Sequence, residues 1–370
     1  MASLLADFPS PEAAIEALRS QLTASPVDSR LNLQVFLNAL GREEESYEIS
    51  NQLIAIAPHD PRVLFNRGWH LLKRGKFSEG MALLENGRTL NTYGHPPLPS
   101  TRKIWDRSNG RGHRVHLVLE GGLGDQLIHL RFGQDLIDKY ECHVTAICTP
   151  SLASLLTHQK WISAIAQREA ALGIYHDSWL SGMSAAYALG YEYSDISGKP
   201  YLKSSPLKME QWKSLLNSKK LKVGIRWAGN PQFEHQQLRR FPVELLTDLK
   251  QNTEVQLYSF QRDDGLIKLP EEIIDLGPHL KDWEDTAAAM EHMDLMISSC
   301  TSVAHASAAL GKKTWVIVPA LPYFIWALPG KRSPWYDWVT LFRQKTFGDW
   351  TNVREELHAD FKNWIAGGRG

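Results

Sequence analysis

The stretch Asp294–Pro319, DLMISSCTSVAHASAALGKKTWVIVP, constrains the fold more than any other part of the chain. Its short apolar run DLMIS reads as a buried strand. Ser298, Ser299, Cys300, Thr301 and Ser302 then crowd a turn with small polar groups. Val303 to Leu310 has the small, apolar character of a helix packed on a sheet, and Gly311 ends it. TWVIVP is the next strand. In such a unit the turn lies at the carboxyl edge of a parallel sheet, where the helix N-terminus offers unpaired N–H groups and a partial positive charge. That is an anion site, and a diphosphate is its commonest occupant. Ser and Thr before a helix are also ordinary N-caps, so the pattern alone leaves the ligand open.

Three motifs carry a family resemblance: T-S-x-A-H-x-x-x-A-L-G-K from Thr301 to Lys312, SPWY at Ser333 to Tyr336, and LFRQ at Leu341 to Gln344. Together they resemble the C-terminal half of heptosyltransferase-like glycosyltransferases. The closest branch is the one fused to tetratricopeptide repeats, distantly similar to the O-GlcNAc transferases. The resemblance covers roughly residues 113 to 352 and is most specific from Val223 to Gln344. It implies the GT-B architecture, two doubly wound Rossmann-like α/β domains facing across a cleft. Those relatives often have Asp where this chain has Cys300, so the resemblance speaks for the backbone of the turn and not for that side chain.

Composition narrows the class. Apolar residues make up 43% and charged residues 22% of 370, enough for two or three domains with cores. Lys plus Arg equals Asp plus Glu at 41 each, so no global field draws nucleic acid or anionic lipid. MASLLADFPSPEA lacks a basic segment followed by an apolar one, so no signal peptide is expected. No apolar run is long enough to span a bilayer. Cys142, Cys148 and Cys300 are few, odd in number and outside metal spacing. They suit a reducing compartment, and a cytoplasmic location is expected.

Residues 1–92 read as helices only. Gly41 and Gly75 lie 34 apart, as do Leu37 and Leu71, and Asn32 and Asn66. That period belongs to the tetratricopeptide helix–turn–helix. Gly68, Trp69, Leu72, Gly75, Phe77 and Ala82 resemble its pattern. So few repeats do not stand alone and must pack on the next domain, holding a protein or glycan acceptor or serving structure only. Thr92 to Gly112 is rich in Pro, Gly and polar residues and reads as a linker. Residues 113–205 read as the first Rossmann-like, acceptor-side domain: VHLVLE as a strand, a turn at Gly121–Asp125, a helix from Gln126 to Tyr140, and VTAIC as a second strand. A crossover is expected near Lys203 to Lys220. Residues 215–370 read as the second, nucleotide-sugar domain. The aromatic-rich tail reads as a packed segment, and the resemblance implies a last helix crossing back to the first domain.

Transfer of a sugar needs a base for the acceptor hydroxyl, positive stabilisation of the leaving diphosphate, and orientation of the donor. Asp125 sits where a glycine-rich loop turns into a helix, and Gly122 and Gly124 let backbone approach a ligand closely. Asp there is also a common N-cap. The resemblance carries the base role to Asp125, through an Asp in a similar G-D motif. For the diphosphate the candidates are the backbone at Thr301 and Ser302, the Ser302 hydroxyl, His305 one turn further in, and Arg239, whose LRRFP resembles an R-S-x-P stretch. For the nucleoside they are Trp227, Asn230, Ser259, Phe260 and Gln261, at two strand ends. Asp285 and Thr286 open a helix near a ribose; Asp285 is equally a good N-cap. No D-x-D triplet is present: Asp263 and Asp264 are adjacent, while Asp282 and Asp285 are too widely spaced. A helix terminus with Arg and His can do a metal's work, so no metal and no cofactor beyond the nucleotide-sugar substrate is expected.

The reading is a tetratricopeptide-bearing glycosyltransferase acting by inverting, metal-independent displacement. A non-catalytic scaffold with a degenerate nucleotide-sugar fold is the rival, and an epimerase of the same fold is a third reading, which the repeats oppose. The sugar, the nucleotide, the acceptor and the oligomeric state are not written in the chain.

Overall fold

The computed structural model describes residues 10–94, 96–230, 239–262 and 269–367. The first stretch is helical: α1 (Pro11–Ser20), α2 (Pro26–Ala39), α3 (Glu43–Ile56), α4 (Pro61–Lys73) and α5 (Phe77–Leu84). Pro stands in the first turn of α1, α2 and α4, where its missing N–H costs nothing. The spacing of 34 has a structural cause. Gly41 and Gly75 close α2 and α4 with φ of +73° and +78°, the left-handed turn that sends α3 and α5 back along their partners.

Two all-parallel sheets follow. In the first the strands are β1 (Lys103–Ile104), β2 (Arg114–Val118), β3 (His143–Ile147), β4 (Ala164–Ala166) and β5 (Ser178–Ser181), in spatial order β1-β5-β2-β3-β4. Helices α6 (Leu123–Tyr140), α7 (Pro150–Leu156) and α8 (Ala185–Leu189) connect them. The expected linker thus contains an edge strand, β1, paired with β5. The crossover contains a helix too, α9 (Pro206–Leu215), begun by Ser205 as N-cap. The second sheet holds β6 (Leu221–Arg226), β7 (Val255–Ser259), β8 (Ile274–Asp275), β9 (Leu295–Ser299), β10 (Thr314–Val318) and β11 (Val339–Arg343). Its order is β11-β10-β9-β6-β7-β8. Its helices are α10 (Glu244–Thr247), α11 (Trp283–Glu291), α12 (Ser302–Ala309) and α13 (Thr351–Ala366). Each sheet reverses its winding once, between β2 and β5 in the first and between β6 and β9 in the second. A crevice opens at the carboxyl ends of the strands at each such point.

The interior is shared rather than divided lobe by lobe. One cluster runs from Leu72, Phe77 and Met81 of the helical stretch, through Leu117 and Leu130 of the first sheet layer, to Ala287, Val303 and Trp335 beside the second. Arg131 on α6 is buried in it, donating to the carbonyls of Ser197 and Trp335 and to the Tyr201 hydroxyl, with its guanidinium over the Tyr336 ring. The other face of the second sheet is covered by α13, whose Val353, Leu357 and Phe361 pack with Trp315 and Phe342. The last helix therefore stays on its own sheet and does not cross back, because its apolar stripe faces that core. Trp326, Trp335 and Tyr336 of the aromatic-rich tail are buried, as the packed reading expects.

Candidate active site

A cavity of about 1000 Å³ lies between the two switch points and runs on under the helical stretch. That is the upper end of the usual range for small-molecule sites. The first lobe contributes Gly121 to Asp125 and Met183, which follow β2 and β5. The second lobe contributes Arg226, Asn230, Arg239, Phe260 and the turn Cys300–Val303. Asp125 and the Thr301–Ser302 turn thus line one space.

Close packing at two glycines brings them together. Gly121 has φ +75°, and a Cβ there would lie 2.7 Å from Asp125 Oδ2. A Cβ on Gly124 would meet His305 Cδ2 at 3.1 Å and Ser302 Cα at 3.5 Å. The first turns of α6 and α12 therefore touch backbone to backbone across the lobes. Helix α6 begins at Leu123, three residues earlier than the sequence suggests, so Asp125 is inside its first turn and not ahead of it. Its Oδ2 accepts the Gly122 N–H at 2.8 Å. The N-cap reading and the base reading are thus compatible. Burial raises the pKa of Asp125, opposed by hydrogen bonds from Tyr323 and Gly122 and by the charge of Arg239. A carboxylate held in this way keeps a basicity above that of a solvated Asp.

At the facing turn, Thr301 precedes α12 with extended backbone, and no side chain caps the helix. The Thr301 N–H is used by the Ser299 carbonyl at 2.7 Å. The first-turn N–H groups of Ser302 and Val303 are left to face the cavity with the positive end of the helix dipole. Two arginines add charge. Arg226 ends β6 and is anchored by the carbonyls of Ala228 and Phe260, each at 2.9 Å. Arg239 lies where the fields of Asp125 and Cys300 reach it. Burial pushes the Cys300 thiol up to about 11, so it stays neutral.

Several expected donor contacts are arranged differently. Trp227 is 1% exposed and packs with Phe241 in the far-side core, outside the cavity. Ser259 is fully buried, and its hydroxyl accepts the Gln261 N–H. Gln261 turns its Oε1 to the Ala228 N–H at 3.1 Å, so it braces the loop after β6 instead of lining the site. The cause is strand alternation: Arg226 and Phe260 point into the cavity, so their neighbours point away. His305 touches the cavity but is buried, stacked on Trp326 at 5.3 Å with Nδ1 3.3 Å from the Tyr336 hydroxyl. Burial, with Arg131 nearby, pushes it down to about 3, so it is a neutral imidazole. Asp285 is turned to Lys208 and Trp212 of α9, while Thr286 lines the cavity. Asp263 and Asp264, and Pro231–Leu238 of the loop after Asn230, lie outside the described residues. Among the described residues no group of His, Cys, Asp and Glu is placed to hold a metal.

Sequence reasoning missed Arg226, Trp283, Leu280 and Tyr323, all of which line the cavity. The signal for Arg226 was its place as last residue of an apolar strand. Tyr323 lies in a loop and had no such signal.

No protein-family model matches the chain, and no curated protein matches it. Solved structures do. A family 9 glycosyltransferase from Veillonella parvula superposes with a TM-score of 0.54 at 12% identity, covering 73% of this chain and all of that one. The ADP-heptose lipopolysaccharide heptosyltransferase II of E. coli gives 0.48 at 14% identity, over 68% of this chain and 99% of that one. The E. coli heptosyltransferase with ADP-2-deoxy-2-fluoro heptose gives 0.45 at 11%, over 68% of this chain and all of that one. The Veillonella likeness shows a shared two-sheet α/β fold.

Proposed function

We propose that the chain is a glycosyltransferase of GT-B architecture that moves a sugar from a nucleotide-diphosphate donor to an acceptor hydroxyl. The observation that carries this reading is a carboxylate from the first lobe facing an uncapped helix N-terminus of the second across one cavity. Asp125 takes the proton of the hydroxyl as its oxygen attacks the anomeric carbon, and the bond from that carbon to the diphosphate breaks on the opposite face, with inversion. The leaving charge is received by the first-turn N–H groups of α12 and by Arg226 and Arg239. These supply the positive charge that a divalent ion brings elsewhere, so the displacement is metal-independent. The nucleoside rests against Phe260, Leu280, Trp283 and Thr286.

The helical stretch is of tetratricopeptide type and holds the acceptor, a protein or glycan, at the cavity's other end. Gln34, Asn38, Asn66 and Trp69 line that end, and the Gln34 Oε1 is buried without a partner. Among the described residues no helix is long and apolar enough to cross a membrane, and the enzyme works in the cytoplasm. A thermal-shift screen against UDP-, GDP-, ADP- and CMP-linked sugars tests the reading. One of them raises Tm; a degenerate scaffold is stabilised by none.

A further inference from the structure

The base candidate is held from three parts of the chain. Asp125 and His129 are on successive turns of α6, and Tyr323 and Phe324, successive residues of the second lobe, face them. The His129 and Phe324 rings stack at 6.1 Å and 15°. The Tyr323 hydroxyl bonds the Asp125 carboxylate. Tyr323 is itself fixed on both sides. Its carbonyl accepts the Trp326 N–H at 2.8 Å, and its ring packs on Phe324 at 4.7 Å and against Trp69 of α4 at 5.9 Å, edge to face. Nothing in the glycine loop requires a tyrosine here: Gly122 N–H already binds one carboxylate oxygen.

We propose that Tyr323 is a positioning residue for Asp125, its hydroxyl fixing the carboxylate against the Gly122 N–H, and that Trp69 of the helical stretch keeps Tyr323 in place. The inference rests on Asp125 being the base. The base is then assembled from both lobes and the helices at once, and its readiness depends on the helical stretch being docked. The other groups around the carboxylate are Arg239 from the second lobe, Tyr93 beside Tyr323, and the neutral imidazoles of His129 and His305. A hydroxyl donor stabilises the ionised carboxylate, so its loss moves the titration of Asp125 upward.

The test reads Asp125 directly, in full-length protein labelled with 13C at aspartate carboxyls, its resonance assigned by its absence in Asp125→Asn. Tyr323→Phe keeps the ring packing, and an unchanged Tm checks the fold. The expected midpoint rises by about one pH unit. Trp69→Leu moves it the same way, and the double variant moves it no further than Tyr323→Phe alone. A midpoint in Tyr323→Phe equal to that of the unmodified protein overturns the proposal, as does additivity in the double variant. This readout needs no turnover, so it is independent of a failure of the transferase reading, which would appear as an unstabilised protein in the donor screen.

Discussion

At the scale of single residues, strand alternation decided which side chains reach the cavity. Reading the chain placed the donor site at the ends of β6 and β7 but chose Trp227, Ser259 and Gln261, where Arg226 and Phe260 reach in. A sequence gives the end of a strand within a residue or two, and one residue changes the face. Asp125, Asn230, Arg239, Thr301 and Ser302 were legible because loops and helix starts carry chemistry in their residue types. Tyr323 was not, since its role depends on a contact with α6 that no local pattern encodes. Arg239 serves the diphosphate in this account. Arg239→Gln should weaken binding of the cognate nucleoside diphosphate about tenfold to a hundredfold, the worth of a charge-assisted hydrogen bond. Titration calorimetry checks this, and an unchanged Kd removes Arg239 from the site.

At the scale of elements, the period of 34 in the helical stretch reflects a repeated turn. Gly41 has φ +73°, and a Cβ there would meet the Lys345 carbonyl at 2.8 Å. The Phe347 N–H donates to the Ala39 carbonyl beside it, so the α2–α3 turn is seated on the second lobe. Gly41→Ala should cost at least about 1–2 kcal/mol from the left-handed backbone alone. Denaturant unfolding measures it, and an unchanged midpoint would mean that the turn relaxes freely. The β9–α12–β10 unit was legible because apolar runs bounded by a hydroxyl-rich turn and Gly311 leave few alternatives. β1 was not: two exposed residues in a Pro- and Gly-rich segment form a strand only because β5 offers an edge.

Across the whole molecule, the helical stretch and both lobes share one interior. Arg88, after α5, reaches the Glu120 carboxylate at 3.2 Å, together with Ser181 and Ser184 at the switch point of the first sheet. Glu120 is fully buried, so Arg88→Met leaves an unpaired charge and should cost about 3–5 kcal/mol; chemical denaturation measures the loss. Three imidazoles, His70, His129 and His305, are each pushed down by burial to about 3. Unfolding frees them to take a proton near their ordinary 6.5. The stability they allow is whole above that pH and is lost as pH falls toward about 3. Tm should therefore fall across that window, and less so in His305→Gln. How the three bodies meet was the least legible feature, because the sequence states each body's own pattern and not the surfaces between them.

The most direct measurement is release of nucleoside diphosphate from the donor found in the screen, by the unmodified chain and by Asp125→Asn, with donor affinity measured beside it. The account predicts turnover reduced by at least about a hundredfold at an unchanged donor Kd. Turnover by Asp125→Asn at the original rate would contradict it.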